Sequence, residues 1–289
     1  MRPRLAVVTC AEYPDLCDDD RRLLPALEAV GLDAEPVVWD REARWPRFDG
    51  VLLRSPWDYF LASPAFLAVL DGLARAGVRC WNDPALVRWN ADKRYLRALE
   101  ARGVATVPTL WFDAPPAPAE LAARVAAAGW DEVVAKPTVS AGAWRTLRLA
   151  RADLAATSLP ALPPSGGAGW MVQPFLPEVV ADGELSFVFV DGTFSHAVRK
   201  EAKAGDFRVQ WTHGGRETPV EASPALVAQA AAALAAAPDA GLYARVDGVV
   251  RGGRLWLMEL ELIEPYLYLG HAPTAAARLA AALARRLRA

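Results

Sequence analysis

Four charged residues near the end of the chain, Arg245, Asp247, Glu259 and Glu261, flank a Gly-Gly pair in the string YARVDGVVRGGRLWLMELELIEP. Placing Gly252 at the centre of a hairpin turn sets Val250 opposite Arg254, so odd residues face odd ones. Arg245, Asp247, Glu259 and Glu261 then share one face, with Glu259 opposite Arg245 and diagonal to Asp247. Ala244, Val246, Trp256, Met258, Leu260 and Leu262 form the other face, an apolar one suited to a core. Three carboxylates so close repel one another unless something positive sits among them. Hard oxygen ligands suit Mg²⁺, which takes one or two carboxylates with phosphate oxygens and water. A solvated strand face carrying an Arg–Glu pair is the alternative that spacing alone leaves open.

Phosphate chemistry has a second candidate in Lys136, which ends the apolar string VVAKP and runs into TVSAGA, a small-residue loop holding Ser140 and Gly142. A lysine there reaches a phosphate while backbone N–H groups of the loop wrap it; an ordinary solvated strand-end lysine is the competing reading. Of 32 basic residues only Lys93, Lys136, Lys200 and Lys203 are lysine. A chain so biased to Arg keeps Lys where a compact, flexible point charge is needed. None of the four follows a glycine, so there is no P-loop, and no GxGxxG follows the first apolar string. WMVQPFLPE runs an apolar strand into a proline turn, leaving backbone groups free for a planar heterocycle edge.

The elements that must position these residues alternate strand and helix. Strands are expected at residues 5–10, 34–38, 51–54 and 78–81, with helices over 18–30 and 63–76, a βαβ start typical of a small parallel sheet. A helix over 91–102 carries Lys93 in its first turn. Strands at 106–111, 132–137 and 170–174 follow, with a helix ending at 128 and a surface loop at 160–169. Strands at 183–190 and 193–200 joined at Asp191-Gly192, a helix over 223–237 and the last hairpin precede a terminal amphipathic helix. Three segments result: 1–88, 89–177 and 178–289.

Composition narrows the class. The chain has 289 residues, 53% hydrophobic and 23% charged, with a formal net charge of −2. That balance supplies no basic field for nucleic acid, and no apolar run approaches the roughly 18 residues of a membrane span. Cys10, Cys17 and Cys80 are odd in number and lack CxxC or metal spacing. His196, His213 and His271 show no metal-ligand pairing and are read as structural. The expectation is a cytoplasmic monomer or homodimer acting on a small molecule.

The order Lys93, Lys136 with its loop, Gln173-Pro174-Phe175, Glu184, Arg199, Arg245/Asp247 and Glu259/Glu261 resembles the ATP-grasp superfamily over about residues 88–270. The resemblance implies an α/β protein with an ATP-grasp fold behind a Rossmann-like βαβ domain. It implies ATP and Mg²⁺ as cofactors, with Lys93 and Lys136 on the phosphates. It further places Gln173 and Phe175 main-chain groups on adenine, Glu178 near the ribose, Arg199 on the transferred phosphate, and Asp247, Glu259 and Glu261 on Mg²⁺. The superfamily usually writes Glu-x-Asn where this chain has Glu259-Leu260-Glu261, so an extra negative charge stands at the metal position.

Within the superfamily, LLRSPWDYF, VRWNADKRYL and MELELIEP are similar to cycloserine-biosynthesis ligases that close O-ureido-serine. Arg54, Trp57 and Asp58 follow the third strand, at the carboxyl edge of a parallel sheet where ligands bind. Arg54 would pair with a substrate carboxylate and Asp58 with its ammonium, with Tyr266 and His271 lining the same pocket; a surface pair beside a packed Trp is the plainer reading. The implied activity is ATP-dependent carbon–nitrogen ligation of an amino-acid-like substrate through an acylphosphate, including closure of O-ureido-D-serine to D-cycloserine. A glutathione synthetase-like or dipeptide-forming ligase, a kinase-like phosphotransferase and a non-catalytic ATP-binding regulator are the rival readings.

Overall fold

The computed structural model describes residues 2–41, 45–162 and 169–289. Strands β1 (Arg4–Thr9), β2 (Asp33–Val38), β3 (Gly50–Ser55) and β4 (Arg79–Trp81) form a parallel sheet in the order β2-β1-β3-β4. Strands β1 and β3 are buried on both faces, as the continuous apolar strings LAVV and VLL require of central parallel strands. Helices α1 (Asp18–Arg21), α2 (Leu23–Ala29) and α3 (Ser63–Arg75) accompany this sheet. The expected helix over 18–30 is thus two helices.

Helices α4 (Pro84–Ala91) and α5 (Tyr95–Ala101) replace the single helix expected over 91–102. The break falls at Asp92, whose backbone is extended, and the next N–H, that of Lys93, donates to the Thr138 carbonyl at 2.8 Å. Lys93 therefore sits in a turn tied to the loop after Lys136. Tyr95, Leu96 and Leu99 pack on the third sheet.

The second sheet, ordered β5-β8-β6-β7, is antiparallel: β5 (Leu110–Phe112), β6 (Glu132–Pro137), β7 (Leu147–Ala150) and β8 (Trp170–Pro174). Helix α6 (Pro118–Ala127) covers one face. The expected strand at 106–111 is displaced, since Ala105 and Val107 exchange backbone hydrogen bonds with Leu257 of the third sheet. The loop expected at 160–169 lies largely outside the described residues.

The third sheet, β11-β10-β9-β12-β13, is antiparallel and comprises β9 (Glu184–Val190), β10 (Thr193–Glu201), β11 (Arg216–Val220), β12 (Tyr243–Arg251) and β13 (Arg254–Glu261). The short helix α7 (Glu178–Ala181) leads into it. Leu185, Phe187, Phe189, Ala244 and Val246 face α5 and α8 (Pro224–Ala235). The opposite face packs Val188, Val190 and Tyr243 against α2 and the terminal helix α9 (Ala275–Arg288), then opens at its other end into a cleft. Ser223 caps α8, its Oγ accepting from the Leu226 N–H at 3.3 Å, a contact of about 1 kcal/mol.

The last hairpin departs from its expected register. Its turn is centred between Gly252 and Gly253, both left-handed, with Arg251 opposite Arg254. That pairing sets odd against even, until an irregularity beside Gly248 inserts Met258 and restores odd against odd: Asp247 faces Glu259 and Arg245 faces Glu261. Leu255 and Leu257 thereby enter the core, while Trp256 and Met258 pack on the other face against Val249, contrary to the uniform alternation expected.

Candidate active site

Lys136 reaches the cleft by simple alternation. Along β6, Val133 and Ala135 enter the core under α6, leaving Val134 and Lys136 on the opposite face. The cleft has a volume of about 690 Å³ and lies between the second and third sheets, with the carboxyl end of β3 closing one side. Lys93, Lys136, Ser140, Gly142, Gln173, Pro174, Phe175, Glu184, Arg245, Asp247, Glu259 and Glu261 line it, as do Trp57, Asp58 and Tyr266. His213 also lines it, its Nε2 lying 3.3 Å from the Gly142 carbonyl and linking loops of the two jaws.

Charges in the cleft balance locally. Lys93 Nζ donates to the Ser140 carbonyl at 2.5 Å and lies 3.0 Å from Glu259 Oε1. Lys200 Nζ binds Glu184 and lies 3.1 Å from Asp247 Oδ2. Arg245 contacts Asp247 through Nε and NH2, pairs with Glu261, and donates through NH1 to the Tyr266 carbonyl at 2.9 Å. Ser186 Oγ completes the shell of Asp247 at 2.7 Å.

Protonation follows from these neighbours. Burial would raise both Asp247 and Glu259, yet Arg245 and Lys200 hold Asp247 well below the usual carboxylate range, and Lys93 with Lys136 holds Glu259 below it. Burial, opposed by Arg245 and reinforced by Asp247, Glu259 and Glu264, pushes Glu261 up to about 8. Burial, with Lys93 adding to it and Glu259 opposing, pulls Lys136 below the ordinary lysine range. Lys136 makes no ion pair within 4 Å among the described residues, so its ammonium is a cleft cation available to an anion.

Several expected roles are corrected by this geometry. Arg199 is exposed and does not line the cleft; side chains alternate along β10, so Lys200 takes the inward position and Arg199 points away. Arg54 is fully buried, donating to Asp20 at 2.9 Å and to the Pro265 carbonyl at 2.6 Å, and cannot meet a ligand. Asp58 keeps its place on the cleft wall, with Oδ1 accepting from Trp39 Nε1 at 2.6 Å. Phe175 N–H is spent on the Glu132 carbonyl at 2.9 Å, leaving only its carbonyl for a heterocycle edge. Glu178 is not on the cleft wall and pairs with Arg251 at 3.3 Å. His271 likewise lies off the cleft wall.

Sequence reasoning missed Lys200, Glu264 and Asn90. Asn90 brackets β13 through the Leu260 carbonyl and the Leu262 N–H, each at 2.8 Å. The scarcity of lysine was the signal for Lys200, since three of the four lysines line the cleft. Nothing in the spacing marked Glu264.

Among the described residues no group of three or more His, Cys, Asp or Glu is arranged to hold a metal ion. The expected trio is thus not a preformed cage, because Asp247 is enclosed by Arg245, Lys200 and Ser186 at 2% exposure. Glu259 and Glu261 still present hard oxygens two residues apart on the cleft wall. Their donor chemistry suits Mg²⁺ completed by phosphate and water. No helix among the described residues is long and apolar enough to cross a membrane.

A parallel sheet followed by two antiparallel sheets that clamp a cleft lined by lysines and carboxylates is the architecture of ATP-grasp ligases, and comparison with known proteins bears this out. The family described as D-cycloserine synthetase DcsG, N-terminal domain, matches residues 5–82. The cycloserine biosynthesis protein DcsG of Streptomyces lavendulae is 35% identical over 299 residues, covering 98% of this chain and 99% of that protein. A crystal structure of D-cycloserine synthetase DcsG superposes with a TM-score of 0.86 at 33% identity, covering 98% of this chain and 99% of that one. The ATP-grasp ligase PsnB, in complex with a precursor variant, Mg and ADP, shares the fold at a TM-score of 0.64 and 18% identity, over 98% of each chain. The chain belongs to the DcsG family of ATP-grasp enzymes, which are ATP-dependent carbon–nitrogen ligases.

Proposed function

We propose that the chain binds ATP and Mg²⁺ in this cleft and uses them to activate the carboxyl group of an amino-acid-like substrate for attack by nitrogen. An amine does not attack a carboxylate anion at neutral pH, and transfer of the γ-phosphoryl group creates an acylphosphate with a good leaving group. Such transfer needs little covalent chemistry from the protein and much fixed positive charge. The observation that carries the reading is the convergence of Lys93, Lys136 and Lys200, from three separate segments, on one cleft with Glu259 and Glu261.

In this reading Lys136 and Lys93 hold the phosphates, with Ser140 and Gly142 of the intervening loop wrapping them. Val134, Leu176 and Met258 offer apolar walls to the base beside the Gln173-Pro174-Phe175 turn. Glu259 and Glu261 would hold Mg²⁺, which when bound neutralises phosphate charge. Arg245 and Lys200 keep Asp247 ionised and, with Lys200 also binding Glu184, fix both carboxyl groups behind the metal position. Trp57 and Tyr266 mark the substrate end, their rings 6.1 Å apart.

Similarity to DcsG supports ring closure of O-ureido-D-serine to D-cycloserine as the particular reaction. Purified chain incubated with ATP, Mg²⁺ and O-ureido-D-serine is expected to release ADP and phosphate with formation of the cyclic product, the carbamoyl group on the ring nitrogen being lost to water as CO2 and ammonia. ADP released only with pairs of amino acids would instead favour a dipeptide-forming ligase. ATP binding with no ADP from either set would make the chain a non-catalytic binder.

A further inference from the structure

Four successive carbonyls, those of Ile263, Glu264, Pro265 and Tyr266, are each tied to a side chain from elsewhere in the fold. Tyr243 Oη donates to Ile263 at 2.9 Å, Trp57 Nε1 to Glu264 at 2.9 Å, Arg54 NH2 to Pro265 at 2.6 Å and Arg245 NH1 to Tyr266 at 2.9 Å. The segment is irregular and follows β13, so nothing in a ladder would otherwise hold it. Arg54 is itself anchored by Asp20 and stacked 4.7 Å from the Tyr243 ring centre. A stretch without regular structure is thereby held by one side-chain hydrogen bond per residue.

That platform presents one carboxylate to which no other side chain donates among the described residues. Asp58 accepts from Trp39, Glu184 and Asp247 from Lys200, Glu259 from Lys93 and Glu261 from Arg245. Glu12 and Glu217 also line the cleft, but the first is exposed and the second only half-buried, so solvent reaches both. Glu264 lines the same cleft at 9% exposure, yet no other side chain donates to its carboxylate among the described residues. Only its own backbone N–H reaches it. A carboxylate nine-tenths buried without a cation is unfavourable, and a fixed one is preorganised for a cation that arrives with the ligand. Trp57, Tyr59 and Tyr266 line the same wall. Aromatic faces suit an organic ammonium, which they attract and which loses little hydration there, better than a strongly hydrated Mg²⁺.

We propose that Glu264 recognises the primary ammonium group of the amino-acid-like substrate, and that Arg54, Trp57 and Tyr243 are positioning residues that hold it in place. This rests on the carboxylate-activating reading above, and it moves the ammonium site from Asp58 to Glu264. Burial, opposed by Lys93 and reinforced by Glu259, leaves the carboxyl poorly ionised on its own, as a site awaiting a cation should be.

The test compares wild type and Glu264→Gln in steady-state ADP release with O-ureido-D-serine and with its des-amino analogue, each at varied ATP. The amide keeps the shape and loses the charge. The expected result is a KM for O-ureido-D-serine raised roughly 10- to 100-fold, the loss of one charged hydrogen bond. KM for ATP stays within about twofold, and kcat/KM for the des-amino analogue is unchanged. Equal losses for both compounds, or a changed KM for ATP or Mg²⁺, would overturn the assignment, as would wild-type behaviour of the variant. Glu264→Asp, which keeps charge but shortens reach, should fall between wild type and the amide. Wild-type protein inert with O-ureido-D-serine and ATP would sink the parent reading first and this one with it.

Discussion

Lys200 Nζ lies 3.1 Å from Asp247 Oδ2 and also binds Glu184, so the inward cation of β10 is Lys200 while its neighbour Arg199 faces solvent. Removing one member of a buried ion cluster leaves the others uncompensated, typically about 3–5 kcal/mol. Lys200→Met should therefore lower turnover by at least about 100-fold and reduce the thermal midpoint. Arg199→Ala should retain turnover within about twofold, a surface change of less than roughly 0.5 kcal/mol. ADP-release rates of both variants, measured side by side, check the assignment.

Glu264 also gives the unliganded protein a pH signature. Its carboxyl is pushed up to about 7 by burial, with Lys93 opposing and Glu259 reinforcing, against an ordinary value of 4.5. Between those values the folded chain keeps a proton that the unfolded chain releases, so the group favours the fold at low pH. That contribution is lost as pH rises through about 7. Glu264→Gln cannot lose it, so its stability relative to wild type should improve by on the order of 2 kcal/mol between about pH 5 and pH 8. Denaturant midpoints across that range supply the measurement, and a constant difference would contradict it.

Gly248 permits the irregularity that brings Asp247 opposite Glu259. A Cβ there would lie 2.5 Å from the Trp256 carbonyl oxygen, which is backbone and cannot swing aside. Gly248→Ala should cost about 1–3 kcal/mol of stability and lower turnover through the displaced pair. Unfolding curves with ADP assays test both effects.

Arg54 was the attractive substrate ligand in the sequence, and its burial makes a different forecast. Arg54→Met leaves Asp20 buried without its cation, a loss of about 3–5 kcal/mol in stability. A thermal melt reads this directly. An unchanged midpoint would mean the Asp20–Arg54 pair does not anchor the segment after β13.

The legible parts of the fold were those governed by local pattern. LAVV, VLLR and ELSFVFV announced strands because runs of buried residues leave few other choices, and Ser223-Pro224 announced a helix start by its capping chemistry. Lys136 followed from its place between an apolar string and a small-residue loop, and the face shared by Arg245 and Asp247 from alternation with period two. What escaped depended on contacts distant in sequence. The break at Asp92 arises because the Lys93 N–H bonds to Thr138, 45 residues away in the chain. The register of the last hairpin turned on whether one or two glycines form the turn, and on an inserted Met258 that restores the lost parity. Arg199 and Lys200 are neighbours on β10, so the pleat turns only one of them into the cleft, and the resemblance alone did not settle which. Glu264 was invisible because its significance is the lack of a partner, which only three-dimensional neighbours reveal.

The central claim is that a substrate carboxyl is phosphorylated in the cleft between Lys136 and Glu259, and hydroxylamine trapping tests it most directly. Wild-type protein with O-ureido-D-serine, ATP and Mg²⁺ should yield the substrate hydroxamate, dependent on ATP. Lys136→Ala and Glu259→Gln should each reduce the yield by at least about 1,000-fold, as expected for loss of charge that stabilises a phosphoryl-transfer transition state. Hydroxamate formed at the wild-type rate by either variant would contradict the account.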